Sequence, residues 1–182
     1  NNIQPIDGFI YKNYAPSGTI SLDTPRMYFS DENARKIDAI REGIEGWKKA
    51  NIITDNEYYI LIACLIETAP FYANISGVYA AFNKQWDPRA KKPLILRNIE
   101  LVLNDKRNKA FNCNSMDLIE DITADIIYLD PPYNQRQYAP NYHLLETIAK
   151  YDSPKIKGVT GLRNYKNQKS NFCNNTKALN DL

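Results

Sequence analysis

The sequence predicts an α/β protein, with an open parallel sheet that is interrupted by a helical insertion. Residues 124–130 contain a short apolar run, residues 126–129, that ends in an acid, and apolar residues at successive positions are typical of a strand buried on both faces of a parallel sheet. A helical pattern follows at residues 140–151, and strand, loop and helix in this order indicate an α/β arrangement. We therefore assign residues 1–30 and 94–182 to the α/β core, and residues 31–93 to the insertion.

Two helices open the insertion. Ser30 precedes two acidic residues, a helix N-cap pattern that predicts an amphipathic helix over residues 31–50. Thr54 and Glu57 form a capping box that predicts a second, more apolar helix, which Pro70 ends. A helical hairpin of this kind is either a packing unit or a helix-turn-helix DNA reader, and the pattern leaves both open.

The remaining segments are shorter. Residues 1–30 mix aromatic and turn residues and predict a short strand or loop. Strands are predicted over residues 94–103 and 110–113, and a short helix over residues 115–122. Residues 152–170 are polar and basic, which indicates a mobile loop.

Charge is unevenly distributed along the chain. The net charge is only +2, yet residues 84–110 carry eight basic and three acidic side chains. Residues 111–149 carry one basic and six acidic side chains, and residues 150–169 carry six basic and one acidic. An acidic segment between two basic ones is compatible with a site flanked by polyanion contacts, and equally with ordinary solvated surface.

Several classes of protein are disfavoured. Three cysteines without a CxxC spacing and a single histidine, His143, predict no structural zinc site and no other metal centre. The odd cysteine count suits a reducing cytosol better than a disulfide scaffold. No apolar run approaches the roughly 20 residues of a membrane span, so no membrane partner is expected.

The tetrapeptide Asp130-Pro131-Pro132-Tyr133 carries the most chemical information. The prolines lack N–H groups and have a fixed φ, so the loop is stiff and its carbonyls have no local partners. The Asp130 carboxylate adds an acceptor, and Tyr133 adds an aromatic face. Two acceptors and a ring suit a planar heterocycle that bears an amino group. The alternative is simply a strand end followed by a proline turn.

Longer stretches carry a family resemblance. Residues 125–151, DIIYLDPPYNQRQYAPNYHLLETIAKY, and residues 158–163 resemble the D12 class of N6-adenine-specific DNA methyltransferases of bacterial restriction-modification systems. Residues 28–47, 65–67, 74–79 and 84–87 resemble the same class. The resemblance implies a partial Rossmann-like methyltransferase sheet, S-adenosylmethionine as methyl donor, and double-stranded DNA with a flipped adenine as substrate. It also implies a bacterial, cytoplasmic enzyme with a possible cognate restriction endonuclease.

The resemblance assigns roles to individual residues. Asp130 and the Pro131 carbonyl, within the rigid Pro131-Pro132 turn, would hold the adenine N6 group, and Tyr133 would stack on the base. Asp130 and Asn114 would also face the cofactor. Asn114 has an alternative role as N-cap of the 115–122 helix. His143 is expected to be a packing or hydrogen-bonding residue. The residues expected to contact DNA are Lys84, Trp86, Arg89, Lys91, Lys92, Arg136, Lys155, Lys157 and Arg163.

One family feature is missing from these residues. The glycine-bearing FxGxG cofactor loop does not occur, so we expect the chain to hold the target-base part of the site without the main cofactor part. Two alternatives to a DNA methyltransferase therefore stay open. One is an incomplete or inactive methylase remnant that binds DNA without catalysis. The other is an RNA amino-methyltransferase that uses the same DPPY group.

Overall fold

The computed structural model describes residues 3–132, 134–174, 176 and 178, which form a mixed structure of helices and a small sheet. The chain divides into two compact units. Unit 1 comprises Asn1–Ile99 and Ala139–Lys166, and unit 2 comprises Glu100–Tyr138 and Asn167–Leu182. Residues 1–30 thus share a unit with the predicted insertion.

The elements in chain order are α1 (Phe9–Tyr14), α2 (Asp31–Lys49), α3 (Asp55–Thr68), α4 (Ser115–Ile119), α5 (Tyr138–Lys150), β1 (Ile156–Lys157) and β2 (Leu162–Arg163). Single 3₁₀ turns cover Ser17–Thr19, Ala69–Tyr72, Pro88–Lys91, Lys166–Gln168 and Asn171–Cys173.

The two predicted helices of the insertion are confirmed with their caps. The Ser30 side chain accepts from the Asn33 N–H at the start of α2. Thr54 and Glu57 form both hydrogen bonds of the capping box at the start of α3. Each cap uses an N–H group that the helix itself cannot satisfy, which is why these two boundaries were readable from local sequence. The helices predicted over residues 115–122 and 140–151 are also present, as α4 and α5.

Helix α1 contradicts the strand or loop predicted for residues 1–30. A helix of six residues is not stable alone. Here the Asp38 carboxylate of α2 accepts from the Ile10 and Tyr11 N–H groups at 2.9 and 2.8 Å. The cap comes from a residue 28 positions away, so no local pattern announces it. Gly8 lies directly against Asp38, where a Cβ would come within 2.4 Å of the carboxyl carbon.

Helix α5 is fastened to α2 by a buried arginine. The Arg41 side chain donates from Nε to the Ile148 carbonyl at 2.9 Å and from Nη2 to the Ala149 carbonyl at 3.1 Å. These carbonyls belong to the last turn of α5, where the helix has no internal donors for them. Arg41 also pairs with Glu45 at 2.7 Å. Together with the apolar core of unit 1, this contact fixes the C-terminal end of α5.

Residues 152–170 are not the featureless loop that was predicted, because β1 and β2 pair antiparallel within them. The Arg26 guanidinium donates to the carbonyls of Gly158 and Val159 in the connecting turn. The Tyr14 hydroxyl donates to the Gly161 carbonyl at 2.8 Å. Arg26 and Tyr14 are both distant from the hairpin in sequence, so its own polar composition did not predict that it is structured.

The predicted strands over residues 94–103, 110–113 and 124–130 are wrong for the described part of the chain. These segments pair with no other strand there, and its only sheet is the two-stranded β1–β2 hairpin. The side chains of Ile126 and Tyr128 are 88% and 87% exposed. A strand cannot satisfy its own backbone, so an apolar run predicts a strand only where neighbouring strands exist to pair with it.

Candidate base site and nucleic-acid interface

The DPPY motif lies in unit 2. Asp130 is exposed, and Pro131 and Pro132 are half-buried in an irregular segment. Tyr133 lies outside the described residues. The two proline rings restrict the backbone φ at positions 131 and 132, so the direction of the Pro131 carbonyl is limited. An exposed carboxylate beside a carbonyl without a following N–H is an acceptor pair open to a ligand.

The segment that follows the motif is held by one glutamine. Gln137 donates from Nε2 to the Ser170 carbonyl at 3.0 Å and accepts at Oε1 from the Ser170 N–H at 2.7 Å. Cys173 Sγ lies 3.5 Å from the Arg136 carbonyl. The Asn134 side chain accepts from the Arg136 N–H, which closes a tight turn. Residues 134–137 are therefore fixed against residues 170–173 within unit 2.

In unit 1, the basic stretch of residues 83–94 is held by two buried asparagines. Asn74 is fully buried. Its side chain donates to the Asn83 carbonyl at 3.0 Å and accepts from the Asp87 N–H at 2.8 Å. Its own carbonyl accepts from the Asn83 N–H at 2.9 Å. Asn74 thus fixes the backbone at the first residue of the stretch, Asn83, and near its middle, at Asp87.

Asn33 of α2 holds the second half of the same stretch. Its amide nitrogen donates to the carbonyls of Ala90 and Lys92 at 3.1 and 2.9 Å, and its oxygen accepts from the Leu94 N–H at 2.8 Å. Asn33 is 2% exposed and Leu94 is fully buried. Residues 83–94 contain only one 3₁₀ turn, yet their backbone is anchored at both ends and in the middle.

One ion pair stands out on this basic stretch. The Asp87 side chain caps the Pro88–Lys91 turn by accepting from the Arg89 N–H, and it also binds the Arg89 guanidinium. Arg89 Nη2 lies 2.6 Å from Asp87 Oδ2, and Nε lies 3.1 Å from the same oxygen. Hydrogen bonds from Arg89 lower the pKa of the Asp87 carboxyl, and those to Asp87 raise the pKa of Arg89. Both groups are therefore charged at neutral pH.

The other residues predicted to contact DNA fall into three groups. Arg163 is buried and donates to the Asp152 carboxylate at 2.6 and 3.1 Å, which makes it part of the interior of unit 1 rather than an open phosphate contact. Trp86 is half-buried. The exposed cations are Lys84, Lys91, Lys92, Arg136, Lys155 and Lys157.

His143 packs in the interior, in agreement with the sequence prediction. It is fully buried on α5, and its Nε2 lies 3.0 Å from the Tyr79 carbonyl. Because a carbonyl only accepts, Nε2 carries the proton. Burial lowers the pKa of His143 to about 4, so the ring is neutral at physiological pH. The Tyr79 N–H in turn donates to the Asn141 carbonyl at 2.7 Å, so this contact fixes the 74–79 segment to α5.

Asn114 adopts the capping role that was its alternative. Its Oδ1 accepts from the Met116 N–H at 3.3 Å at the start of α4. Among the described residues, no group of three or more metal-ligating side chains occurs. The described helices also include none that is long and apolar enough to cross a membrane.

Sequence reasoning missed three residues that shape these surfaces: Asn33, Asn74 and Gln137. Each is a polar side chain whose partners are backbone groups of a distant segment. The only sequence signal was an amide side chain among apolar or helix-forming residues. Asn33, for example, lies in the first turn of α2, where an asparagine is an ordinary residue for a helix start.

Comparisons with known proteins agree with one another. The family model described as D12 class N6 adenine-specific DNA methyltransferase matches residues 1–181. The chain is 45% identical to the modification methylase StsI of Streptococcus sanguinis, over 94% of this chain and 25% of that protein. It is 48% identical to the type II methyltransferase M.FokI of Planomicrobium okeanokoites, over 91% and 25%. It is 42% identical to M.NlaIII of Neisseria lactamica, over 97% and 51%.

The chain therefore spans a quarter of the length of the first two relatives and about half of the third. No solved structure matches the chain.

Proposed function

The chain belongs to the D12 class of N6-adenine-specific DNA methyltransferases, and on that premise we propose that it forms the target-base part of such an enzyme. The enzyme would transfer a methyl group from S-adenosylmethionine to the N6 amino group of adenine in double-stranded DNA. The observation that carries the proposal is the acceptor pair of the DPPY motif, in a chain that matches the family from residue 1 to residue 181.

The adenine would be held by groups of this chain. The Asp130 carboxylate and the Pro131 carbonyl accept the two N6 hydrogens, which turns the nitrogen lone pair away from the loop. Tyr133 stacks on the flipped base. No covalent intermediate with the protein is required, because a positioned amino nitrogen attacks an electrophilic methyl directly. Flipping is necessary because N6 is otherwise paired inside the duplex.

The residues present fit part of a cofactor site. S-adenosylmethionine supplies an electrophilic methyl on a cationic sulfonium. The exposed Asp130 carboxylate has the right charge to face that cation. Asn114 uses its side-chain oxygen as a helix cap and keeps its amide hydrogens as donors. Asn114 and Asp130 are therefore the two cofactor contacts that we assign on this chain.

DNA would be held by the exposed cations of unit 1, with Arg136 beside the base site. Lys84, Lys91 and Lys92 project from the anchored basic stretch, Lys155 directly precedes β1, and Lys157 ends it. Trp86 contributes an apolar contact on the basic stretch. Arg163 instead supports the hairpin through Asp152. Residues 31–93 are accordingly the recognition region, since most of these groups lie within or next to it.

The apolar run of residues 124–130 supports a Rossmann-like sheet in the whole enzyme. Its exposed side chains would be covered and its backbone paired when further strands are present. The enzyme would work in the bacterial cytoplasm, where its DNA substrate lies, as the protective partner of a cognate restriction endonuclease.

The test is transfer of labelled methyl groups from S-adenosylmethionine to genomic DNA that lacks adenine methylation, using the protein expressed from its complete gene. We expect label in N6-methyladenine. Asp130→Ala should lose transfer while it keeps DNA binding, because it removes one acceptor of N6 but no phosphate contact. Asp121→Ala, which removes an exposed carboxylate of the same unit, is the matched control and should leave transfer unchanged.

Three results would overturn the proposal in distinct ways. With total RNA offered as a second substrate, label in RNA alone would identify an RNA amino-methyltransferase. DNA binding without transfer, and without binding of S-adenosylmethionine in calorimetry, would identify a remnant that binds DNA only. Unchanged turnover in Asp130→Ala would place the base site elsewhere.

A further inference from the structure

Arg89 differs from the other cations of the basic stretch because its guanidinium is oriented by a carboxylate. The Arg89 side chain is 62% exposed and that of Asp87 is 22% exposed. Exposed ion pairs of this kind contribute little to folding stability, so stability does not account for the arrangement. What the pair does provide is direction, because the Nε and Nη2 groups on one edge of the guanidinium bind Asp87.

The backbone on which the pair is built is fixed on both sides. The Asp87 N–H is held by the fully buried Asn74, and the Ala90 carbonyl is held by the buried Asn33. Asp87 additionally accepts from the Arg89 N–H at 2.8 Å. The backbone position of Arg89 is therefore fixed, and the Asp87 carboxylate restricts the plane of the guanidinium before any ligand binds.

The edge that remains available matches one kind of acceptor. With Nε and one Nη2 hydrogen on Asp87, both Nη1 hydrogens and the second Nη2 hydrogen take no partner among the described residues. One Nη1 hydrogen and the second Nη2 hydrogen form a two-donor edge in a single plane. Guanine presents two coplanar acceptors, O6 and N7, in the major groove, and a bidentate arginine is their commonest partner.

The charge balance also separates a base contact from a phosphate contact. Asp87 neutralises Arg89, so the pair attracts a polyanion less than a lone cation does, and the carboxylate repels a nearby phosphate. A phosphate contact requires charge and little orientation, which Lys84, Lys91 and Lys92 supply on the same stretch. A base contact requires orientation and tolerates neutralisation, because the guanine edge is itself uncharged.

We propose that Arg89, oriented by Asp87 and by the asparagine-anchored backbone, reads one guanine of the methylation site in the major groove. Asp87, Asn33 and Asn74 are then positioning residues for this contact. The inference rests on the proposed function, since it requires a DNA substrate, and adds a sequence-reading role to one of its contacts.

The experiment uses the protein expressed from its complete gene in a bacterial host that lacks adenine methylation. Single-molecule sequencing of the host DNA then gives the methylated motif. Wild type should give a motif that contains at least one guanine. Arg89→Ala should still methylate adenine but accept other bases at one guanine position, with discrimination there reduced roughly 5- to 150-fold. Arg89→Lys, which keeps the charge but not the two-donor edge, should relax the same position.

Two further variants separate reading from structure. Lys91→Ala, on the same turn, should lower methylation at all sites without changing the motif, and should reduce the salt dependence of binding by about one phosphate contact. Asp87→Asn keeps a side-chain oxygen for the turn but loses the ion pair, and should relax the guanine position partially. A change in base preference is a readout that a merely structural residue would not produce.

Binding to an oligonucleotide with 7-deazaguanine at the identified position provides the direct check. Removal of N7 should weaken wild-type binding and leave Arg89→Ala unaffected. An unchanged motif in Arg89→Ala, or an equal loss at all sites, would overturn the role of Arg89 while leaving the methyltransferase function in place. Absence of N6-methyladenine with wild type would instead overturn the proposed function and this role with it.

Discussion

Two buried groups of unit 1 have pKa values that are shifted in opposite directions, so their contributions to stability change with opposite sign over the same range of pH. Burial raises the pKa of Asp38 from 3.8 to about 6, despite hydrogen bonds from the Tyr11 and Ile10 N–H groups and from Tyr151, and the charge of Glu42 acts in the same direction as burial. Burial lowers the pKa of His143 from 6.5 to about 4, although the Tyr79 carbonyl opposes this. Both side chains are fully buried, so solvent screening is small.

The signs follow from proton linkage. Asp38 has a folded pKa above its unfolded value, so its contribution to stability is complete below pH 3.8 and is lost as pH rises through about 6. His143 has a folded pKa below its unfolded value, so its contribution is complete above pH 6.5 and is lost as pH falls through about 4. Each difference between the folded and unfolded pKa corresponds to about 3 kcal/mol of stability. The contributions of Asp38 and His143 change in opposite directions over nearly the same pH range, so they nearly cancel in the wild-type protein.

Asp38→Asn should reveal the contribution of His143. The variant carries a fixed cost, because an amide nitrogen faces one of the α1 N–H groups, but that cost does not vary with pH. The free energy of unfolding of the variant should rise by about 3 kcal/mol more than that of wild type between about pH 4 and pH 7. Urea unfolding, followed by tryptophan fluorescence at a series of pH values, measures the free energy of unfolding of wild type and of the variant. A wild-type-minus-variant difference that is constant across this range would refute the reasoning.

Three other substitutions test contacts that hold the fold, and two more serve as controls. Gly161→Ala should destabilise the protein by more than about 1 kcal/mol, because its φ is +69° and a Cβ would lie 2.9 Å from the Tyr14 ring. Gly43→Ala, in α2 with open space around it, should instead stabilise by about 0.5–1 kcal/mol, and urea unfolding measures both variants. Asn33→Ala removes the partner of two buried backbone groups and one part-buried group, and should cost about 2–4 kcal/mol, with faster proteolysis within residues 83–94. Asn98→Ala, at an exposed position, should change neither. Gln137→Ala should speed amide hydrogen exchange at residue 170 and slow methyl transfer, and unchanged exchange there would contradict its role.

The helix boundaries show why part of the fold was predictable. The N-cap at Ser30 and the capping box at Thr54 involve residues three positions apart, so the sequence contains both partners of each hydrogen bond side by side. The kink of α5 shows the limit: Tyr142 has non-helical dihedrals inside the helix, and nothing in the local pattern distinguishes it from its neighbours.

The candidate site divides in the same way. Its chemistry, with an acceptor pair next to two prolines, was readable from four consecutive residues, and the basic character of residues 84–92 from composition. The distinction between Arg89 and Arg163 was not readable. One is exposed and oriented by a carboxylate two residues away, whereas the other is buried against Asp152 and Thr147. Both are arginines in basic segments, and only packing separates them.

The sequence by itself determined the family, the DPPY motif and the helices whose caps are local, because each of these depends on residues that are neighbours in the chain. Tertiary structure alone decided that α1 is a helix, that residues 83–94 are rigid and that Arg163 is internal. In each case a buried polar side chain from a distant segment satisfies backbone or charged groups that would otherwise lack partners. Burial makes those hydrogen bonds obligatory, and the fold determines which groups become buried.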